Sequence, residues 1–439
     1  MRKAAGNPLV RQPPGNPEAA RRGISLRGLA SALTNPAIVA FLWALAIAHL
    51  VWIFTLLPGR VTDIDFSLYY TAATAVRAGV SPYTGNLEPL AQRLQLHIKH
   101  QAQLPYTPTF LLAFEPLTHF PPQVAYWIWF ALSIIALSVS MFLLLQRSGH
   151  GASALGALIL LYPPLAEHFL TAQTQLLVLI LLVLMLLCLE NGNDATAGAL
   201  LASAGALRAY PLALSAYLLL LGRWRAFASE VAFLTIIALV TVLVLGTGFC
   251  ENWIQGIGYA TRLGANPATV TLHTFVSRFF WYCFGMKLSN WLEFFRYAAI
   301  GAAEFALLAF TAKATLSSHR FGFSVWIVAA ILLSPMAWTH YLVLLFIPFG
   351  ELVAAANQGM CSGRAIGMMI VSYGLTIALY VTMGAMPTDS AFRAWVWIGQ
   401  GLTLSVLLAY ISVYWLALDS SRIVSAAAGQ DSARLCAQA

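Results

Sequence analysis

Long apolar runs recur along this chain and constrain its fold more than any other feature. The first, at residues 36–57, contains no Asp, Glu, Lys or Arg, and a helix of that length can cross the hydrocarbon core of a bilayer. Charged residues make up 9% of the chain, whereas soluble domains carry about 25%. The sequence therefore predicts an all-α polytopic membrane protein with about 12 transmembrane helices.

The basic residues predict how these helices are oriented. Residues 1–30 read as a disordered basic tail and residues 419–439 as a second tail, and the positive-inside rule places both in the cytoplasm. The transmembrane domain between them, residues 31–418, has two long outer loops at about 58–122 and 248–294, with short amphipathic helices. The net charge of +8 lies mostly in short loops and tails, so it indicates helix orientation and not nucleic-acid binding.

The segment at residues 196–222 does not fit a simple crossing. As one helix it would place Arg223 and Arg225 outside, against the positive-inside rule. Pro211 near its middle favours two half-length helices that dip into the membrane and return. Irregular backbone at that depth occurs beside a cavity, so we expect a break at residues 207–211 that lines one.

Two carboxylates open the first outer loop. Asp63 and Asp65 precede Phe66, Tyr69 and Tyr70 at helical spacing, which predicts an amphipathic helix at the membrane surface. The Asp-x-Asp spacing is also that of a divalent-cation site in enzymes that use nucleotide sugars, but those donors are cytoplasmic and this loop is predicted to face outward. A helix N-cap and a general base for an acceptor hydroxyl are the other roles. We assign capping to Asp63 and the base to Asp65.

A second set of candidates is charged and lies near apolar segments. Arg208 at membrane depth costs about 2.5–3.5 kcal/mol on insertion scales, so it needs an anionic partner or a wet cavity. A lipid phosphate suits its fork of donors, and an ion pair with Glu304 is the alternative. His340, at a predicted outer junction of two crossings, could bind phosphate, orient an acid or only face the interface.

The remaining candidates have weaker signals. Gln173 and Gln175 could hydrogen-bond sugar hydroxyls or cap a helix, and Tyr69 and Tyr70 could stack on a sugar or belong to an interfacial aromatic belt. Possible headgroup contacts in the second outer loop are His273 and Arg278.

The five cysteines show no metal-ligand spacing. Cys250 and Cys283 share the second outer loop, where they could pair or remain two ordinary interfacial cysteines. We expect no metal and no other cofactor.

Five separated stretches resemble glycosyltransferase family 87, whose members use polyprenyl-phosphate sugars, mannose above all, and have the GT-C fold. The matching stretches are residues 65–83, 106–117, 172–175, 207–211 and 334–341. Ala172 and Gln175 replace Gly and Asn of a Gly-Gln-x-Asn element, Arg208 replaces Lys of a Lys-x-Tyr-Pro element that includes Tyr210, and Tyr341 replaces the second His of a Ser-Pro-x-x-Trp-x-His-His element.

The resemblance implies an inverting, metal-independent transfer to a lipid or glycan acceptor at the outer face of the bacterial inner membrane. Asp65 aligns with the base, and Arg208 and His340 would stabilise the departing polyprenyl phosphate. Two rival functions are a transporter or flippase of lipid-linked sugars and a polyprenyl-linked glycan polymerase or ligase. Transporters usually show internal repeats and polar residues at the midplane, whereas this chain has no visible repeat and polar clusters in its outer loops.

Overall fold

The computed structural model describes residues 34–58, 65–98, 106–260, 268–285, 287–386 and 392–438. Within these ranges the regular structure is helical, apart from one isolated antiparallel bridge between Thr269 and Trp338. The predicted tail at residues 1–30 and Asp63 lie outside the described residues.

The first ten α-helices are α1 (Pro36–Leu56), α2 (Asp65–Arg77), α3 (Glu88–Arg93), α4 (Pro108–Phe114), α5 (Pro122–Ser148), α6 (Ala152–Leu161), α7 (Pro163–Thr171), α8 (Gln175–Glu190), α9 (Asp194–Leu207) and α10 (Leu214–Leu220). The others are α11 (Trp224–Leu245), α12 (Thr247–Ala260), α13 (Leu272–Phe284), α14 (Asn290–Ser317), α15 (His319–Leu333), α16 (Phe346–Asn357), α17 (Gly363–Ala385) and α18 (Phe392–Gln438). Short 3-10 helices lie at Glu115–His119, Gly149–Gly151, Tyr210–Ala213 and Thr339–Leu345.

Seven helical segments of the described chain are long and apolar enough to cross a membrane, and the bent pair α6–α7 would make eight. They are α1, α5, α11, α14, α17, Thr339–Asn357 and Ala394–Ile423. Every predicted crossing contains a helix, but several are too short for a full span because prolines interrupt the apolar runs, as at the 51° bend between α6 and α7. The protein is a multi-pass membrane protein. A count of about 12 full crossings is not what these lengths give.

The predicted break at residues 207–211 is present. Helix α9 ends at Leu207, and Arg208 adopts an extended conformation with φ −150° and ψ 129°. A 3-10 turn that contains Pro211 follows and leads into α10. The chain therefore leaves regular helix at the residue that carries the buried charge.

Helix α2 differs from the amphipathic surface helix expected from the sequence. It is buried on almost every side, and its polar residues Ser67 and Thr71 are as buried as Phe66. The Thr71 hydroxyl donates to the carbonyl of Ser67 at 2.7 Å, so this side chain needs no water. Small residues let the neighbouring α4 and α5 close over the helix.

The second outer loop holds the segment that precedes His340. Val270 N donates to the carbonyl of Ala337, and Thr339 N donates to the carbonyl of Ala268, each at 2.8 Å. These two bonds flank the bridge between Thr269 and Trp338 and fix the start of the Thr339–Leu345 turn. In the same loop region, Cys250 and Cys283 are both free thiols, so the disulfide is not formed.

Candidate active site

Asp65 is the first residue of α2, where unpaired backbone N–H groups favour a negative charge. Its Oδ2 accepts a hydrogen bond from Nε2 of Gln173. Among the residues that the structure describes, Oδ1 has no hydrogen-bond partner. The carboxylate is therefore anchored by one oxygen, and the other can serve a substrate.

A tight turn between α7 and α8 presents Gln173. Ala172 lies in the left-handed region, with φ 53° and ψ 48°. Gln173 N donates to the carbonyl of His168 at 3.1 Å, and Trp129 Nε1 donates to the carbonyl of Ala172 at 2.9 Å. Glycine adopts this conformation with the least strain, which agrees with the Gly that the resembled element has at this position.

The Gln173 amide connects three side chains. Its Oε1 accepts from the Tyr69 hydroxyl at 3.0 Å and from Arg208 Nη2 at 3.2 Å. Because both partners are donors, the amide nitrogen must face Asp65. The Tyr106 hydroxyl donates to that of Tyr69 at 2.9 Å. We call Asp65, Tyr69, Tyr106, Gln173 and Arg208 the Asp65 network.

The two tyrosines of the network are neutral donors. Burial is the main cause that raises the pKa of Tyr69 well above its usual value, and the nearby Asp65 carboxylate adds to it. Burial also raises the pKa of Tyr106, although Arg208 opposes the shift. Both hydroxyls therefore keep their protons at physiological pH.

Arg208 carries a buried positive charge with neutral partners. It is 7% exposed, its Nε donates to Thr174 Oγ1 at 2.9 Å, and its guanidinium lies 4.2 Å from the ring centre of Tyr106. Within the described part of the chain no carboxylate pairs with it, so the alternative of a Glu304 ion pair is not realised. Oxygen dipoles and an aromatic face offset the charge only in part, which leaves it able to attract an anion.

His340 is paired with a carboxylate. Its Nδ1 lies 3.4 Å from Oε1 of Glu167, whose other oxygen accepts from the Thr339 hydroxyl. The Nε2 of His340 is buried and has no hydrogen-bond partner among the described residues, and the same holds for both ring nitrogens of the adjacent His168. Glu167 thus orients the ring, and Nε2 can serve a ligand.

Two further predicted residues border this region. Tyr210 packs its ring against Tyr341, with 4.9 Å between centroids, and Tyr341 lies 5.8 Å from the Arg208 guanidinium. The Tyr210 hydroxyl and both amide atoms of Gln175 are buried without hydrogen-bond partners in the described structure. Buried polar atoms are normally paired, so these groups are suited to a bound polar molecule.

Three predicted site residues lie elsewhere. The Tyr70 hydroxyl donates to the carbonyl of Phe120 at 2.7 Å, which ties α2 to the turn before α5. Arg278 is fully buried and donates to the carbonyl of Thr269 at 2.6 Å, and burial lowers its pKa to about 10. His273 lies on the same helix as Arg278, and burial lowers its pKa as well. None of the three contacts the Asp65 network.

Sequence reasoning did not select Glu167, His168 or Thr174. Glu167 and His168 follow two prolines at the end of an apolar segment, so a polar pair in an apolar setting was the available signal. Thr174 showed none, because its contact with Arg208 spans 34 positions.

An apolar cavity of about 470 Å³ opens beside this region, between α1, α5 and the α6–α7 bend. Phe169, which follows His168, lines it and packs 5.2 Å from Phe130. The cavity could hold a hydrocarbon chain whose headgroup faces the polar residues of α7. The described residues contain no group of three or more His, Cys, Asp or Glu side chains that could hold a metal ion.

The sequence model of glycosyltransferase family 87 matches residues 104–337, more than half of the chain. The chain belongs to glycosyltransferase family 87. No curated protein matches it. As a family 87 member it is a membrane glycosyltransferase, with a sugar donor and an acceptor as substrates. The matched range contains Gln173 and Arg208, whereas Asp65 and His340 lie outside it and are brought to it by the fold.

Proposed function

We propose that this family 87 protein is an inverting glycosyltransferase that moves a sugar, mannose by the resemblance, from polyprenyl phosphate to a hydroxyl of a lipid or glycan. One observation carries the proposal: the Asp65 carboxylate and the buried Arg208 guanidinium bind the same amide. A base and an anion-binding group so close together suit a displacement in which a hydroxyl attacks and a phosphate leaves.

Asp65 acts as the general base. Its Oδ1 takes the proton of the acceptor hydroxyl as that oxygen attacks the anomeric carbon from the side opposite the phosphate. The bond between the anomeric carbon and the phosphate oxygen breaks, and its electron pair leaves with polyprenyl phosphate. The configuration at the anomeric carbon is inverted by this single displacement.

Arg208 and His340 stabilise the phosphate as its charge increases. Arg208 has no carboxylate partner among the described residues, so a phosphate would complete its coordination. Glu167 beside Nδ1 favours the protonated imidazole, whose Nε2–H can donate to a phosphate oxygen. Both groups are buried, and in such surroundings preorganised donors contribute most to catalysis.

The other parts of the site would bind the sugar and the lipid. Gln175 and Tyr210 would hydrogen-bond sugar hydroxyls, and Tyr69 would contact the sugar from the Asp65 side. The apolar cavity beside Phe169 would take the first isoprene units. His273 and Arg278 of the second outer loop would serve acceptor headgroups only if that loop moves. In this proposal the fold is of the GT-C type, with the site facing the periplasm and both termini in the cytoplasm.

The test uses purified full-length protein in liposomes with labelled polyprenyl-phosphate mannose and a membrane lipid extract as acceptor. Wild type should transfer label with and without EDTA, and Asp65→Asn should lose at least about 100-fold in rate. Asp194→Asn, which alters a carboxylate paired with Arg223 far from the site, is the matched control and should be active.

Absence of transfer by wild type from the mannose, glucose and arabinose donors alike would contradict the donor class. Near-normal turnover by Asp65→Asn would remove Asp65 from the mechanism, and loss of activity in EDTA would contradict the metal-independent reaction.

A further inference from the structure

Within the described residues, Gln173 is the side chain that contacts both the base and the guanidinium of the Asp65 network. Its Nε2 donates to Asp65, and its Oε1 accepts from Arg208 Nη2 at 3.2 Å and from the Tyr69 hydroxyl at 3.0 Å. Hydrogen bonds in such a chain polarise one another. The donors on Oε1 therefore strengthen the bond that Nε2 makes to the carboxylate.

The amide has one favourable orientation. Gln173 is 1% exposed, and its own backbone N–H is bonded to the carbonyl of His168 at 3.1 Å. A half-turn of the amide would place its oxygen against the Asp65 carboxylate and its NH₂ group against the donors of Arg208 and Tyr69. All three contacts would then be repulsive, so the carboxylate is held by Oδ2 in one position.

We propose that Gln173 is a positioning residue that holds Asp65 by Oδ2, presents Oδ1 to the acceptor hydroxyl, and fixes the carboxylate relative to the Arg208 guanidinium. The proposal rests on the function proposed above. It differs from the contact with a sugar hydroxyl that the sequence suggested for Gln173, because here the amide acts through Asp65 and need not touch the sugar. Displacement of a base by even a small distance costs about 100-fold in rate.

Gln173→Glu isolates the bond to Asp65. The new carboxylate keeps acceptors for Tyr69 and Arg208, loses the donor to Asp65, and places a second carboxylate beside it. We expect kcat to fall about 100-fold while the KM for the donor stays within about threefold of wild type. Two adjacent carboxylates share a proton, so the acidic limb of the pH–rate profile should move to higher pH.

Gln173→Leu removes all three hydrogen bonds. It should lower kcat by a similar factor and also raise the donor KM, because Arg208 loses a partner, but it should not move the acidic limb upward. Gln358→Glu is the matched control, since Gln358 accepts from Arg320 at 2.6 Å on α16, away from the network. That variant should keep the rate and pH profile of wild type.

Rates are expressed per mole of folded protein, measured by size-exclusion chromatography, so that a folding defect is separated from a catalytic one. If Gln173→Glu keeps a normal kcat per folded molecule and a normal pH profile, the positioning role is wrong. A rise in donor KM alone would instead assign Gln173 to the sugar and would also overturn it. If wild type transfers no sugar, the proposed function itself fails, and this role fails with it.

Discussion

The carboxylate of Glu167 lies 3.4 Å from Nδ1 of His340 and also accepts a hydrogen bond from the Thr339 hydroxyl. One carboxylate thus orients the ring and holds the turn that carries it. Partners of this kind usually change activity by about 10–100-fold when removed from metal-ligating histidines, and the same orienting effect applies to a histidine that binds phosphate.

Glu167→Gln is therefore expected to lower the rate about 10-fold, and more strongly as the pH rises from about 6 to about 8, because the neutral amide no longer favours the protonated ring. The measurement is the pH dependence of kcat/KM. Glu115→Gln is the matched control, because Glu115 pairs with the exposed His119 at 3.2 Å outside the network. An equal loss at every pH would contradict a role through the charge of His340.

Substitutions of Arg208 test whether its charge serves an anion. Arg208→Lys keeps the charge, and the resembled family element has Lys here, so activity should stay within about 10-fold of wild type. Arg208→Met should lower kcat/KM about 100-fold or more. Since the charge has no carboxylate partner in the described structure, Arg208→Met should not lower the melting temperature. A strongly destabilised Met variant would show that the guanidinium is mainly structural.

The buried tyrosines predict a stability change at high pH. Burial raises the pKa of Tyr69 and Tyr106 in the folded state above the value of about 10 in the unfolded chain. The unfolded chain therefore loses these protons first, so stability is complete below about pH 10 and falls as the pH rises above it. Tyr106→Phe should show a smaller fall in melting temperature between about pH 9 and 11. An identical fall would assign it to other groups.

Some of this architecture follows from local signals in the sequence, and some does not. The break at residues 207–211 was predictable because proline and a charge interrupt an apolar run. The burial of α2 was not, since a pattern of polar residues does not reveal that Thr71 bonds to its own backbone. The contact between Asp65 and Gln173 joins positions 108 apart. Only the packing of α2 against the turn after α7 brings them together.

The far end of the molecule offers a test of stability without catalysis. Arg147 Nη2 lies 2.6 Å from Oε1 of Glu351, which is 2% exposed, and the same guanidinium also binds Glu190. This arrangement joins α5, α8 and α16. Removal of one partner from a buried ion pair typically costs about 3–5 kcal/mol, because the other charge is left buried and unpaired.

Arg147→Met is therefore expected to lower the melting temperature clearly, whereas Arg147→Met combined with Glu351→Met should recover most of the loss. Arg223→Met, which breaks the more exposed pair with Asp194, is the control and should change stability by about 0–1 kcal/mol. The kcat per folded molecule should be the same in all three variants, because none touches the Asp65 network. If the double variant is as unstable as the single one, packing of the Arg147 side chain, and not the stranded Glu351 charge, is what stabilises this end.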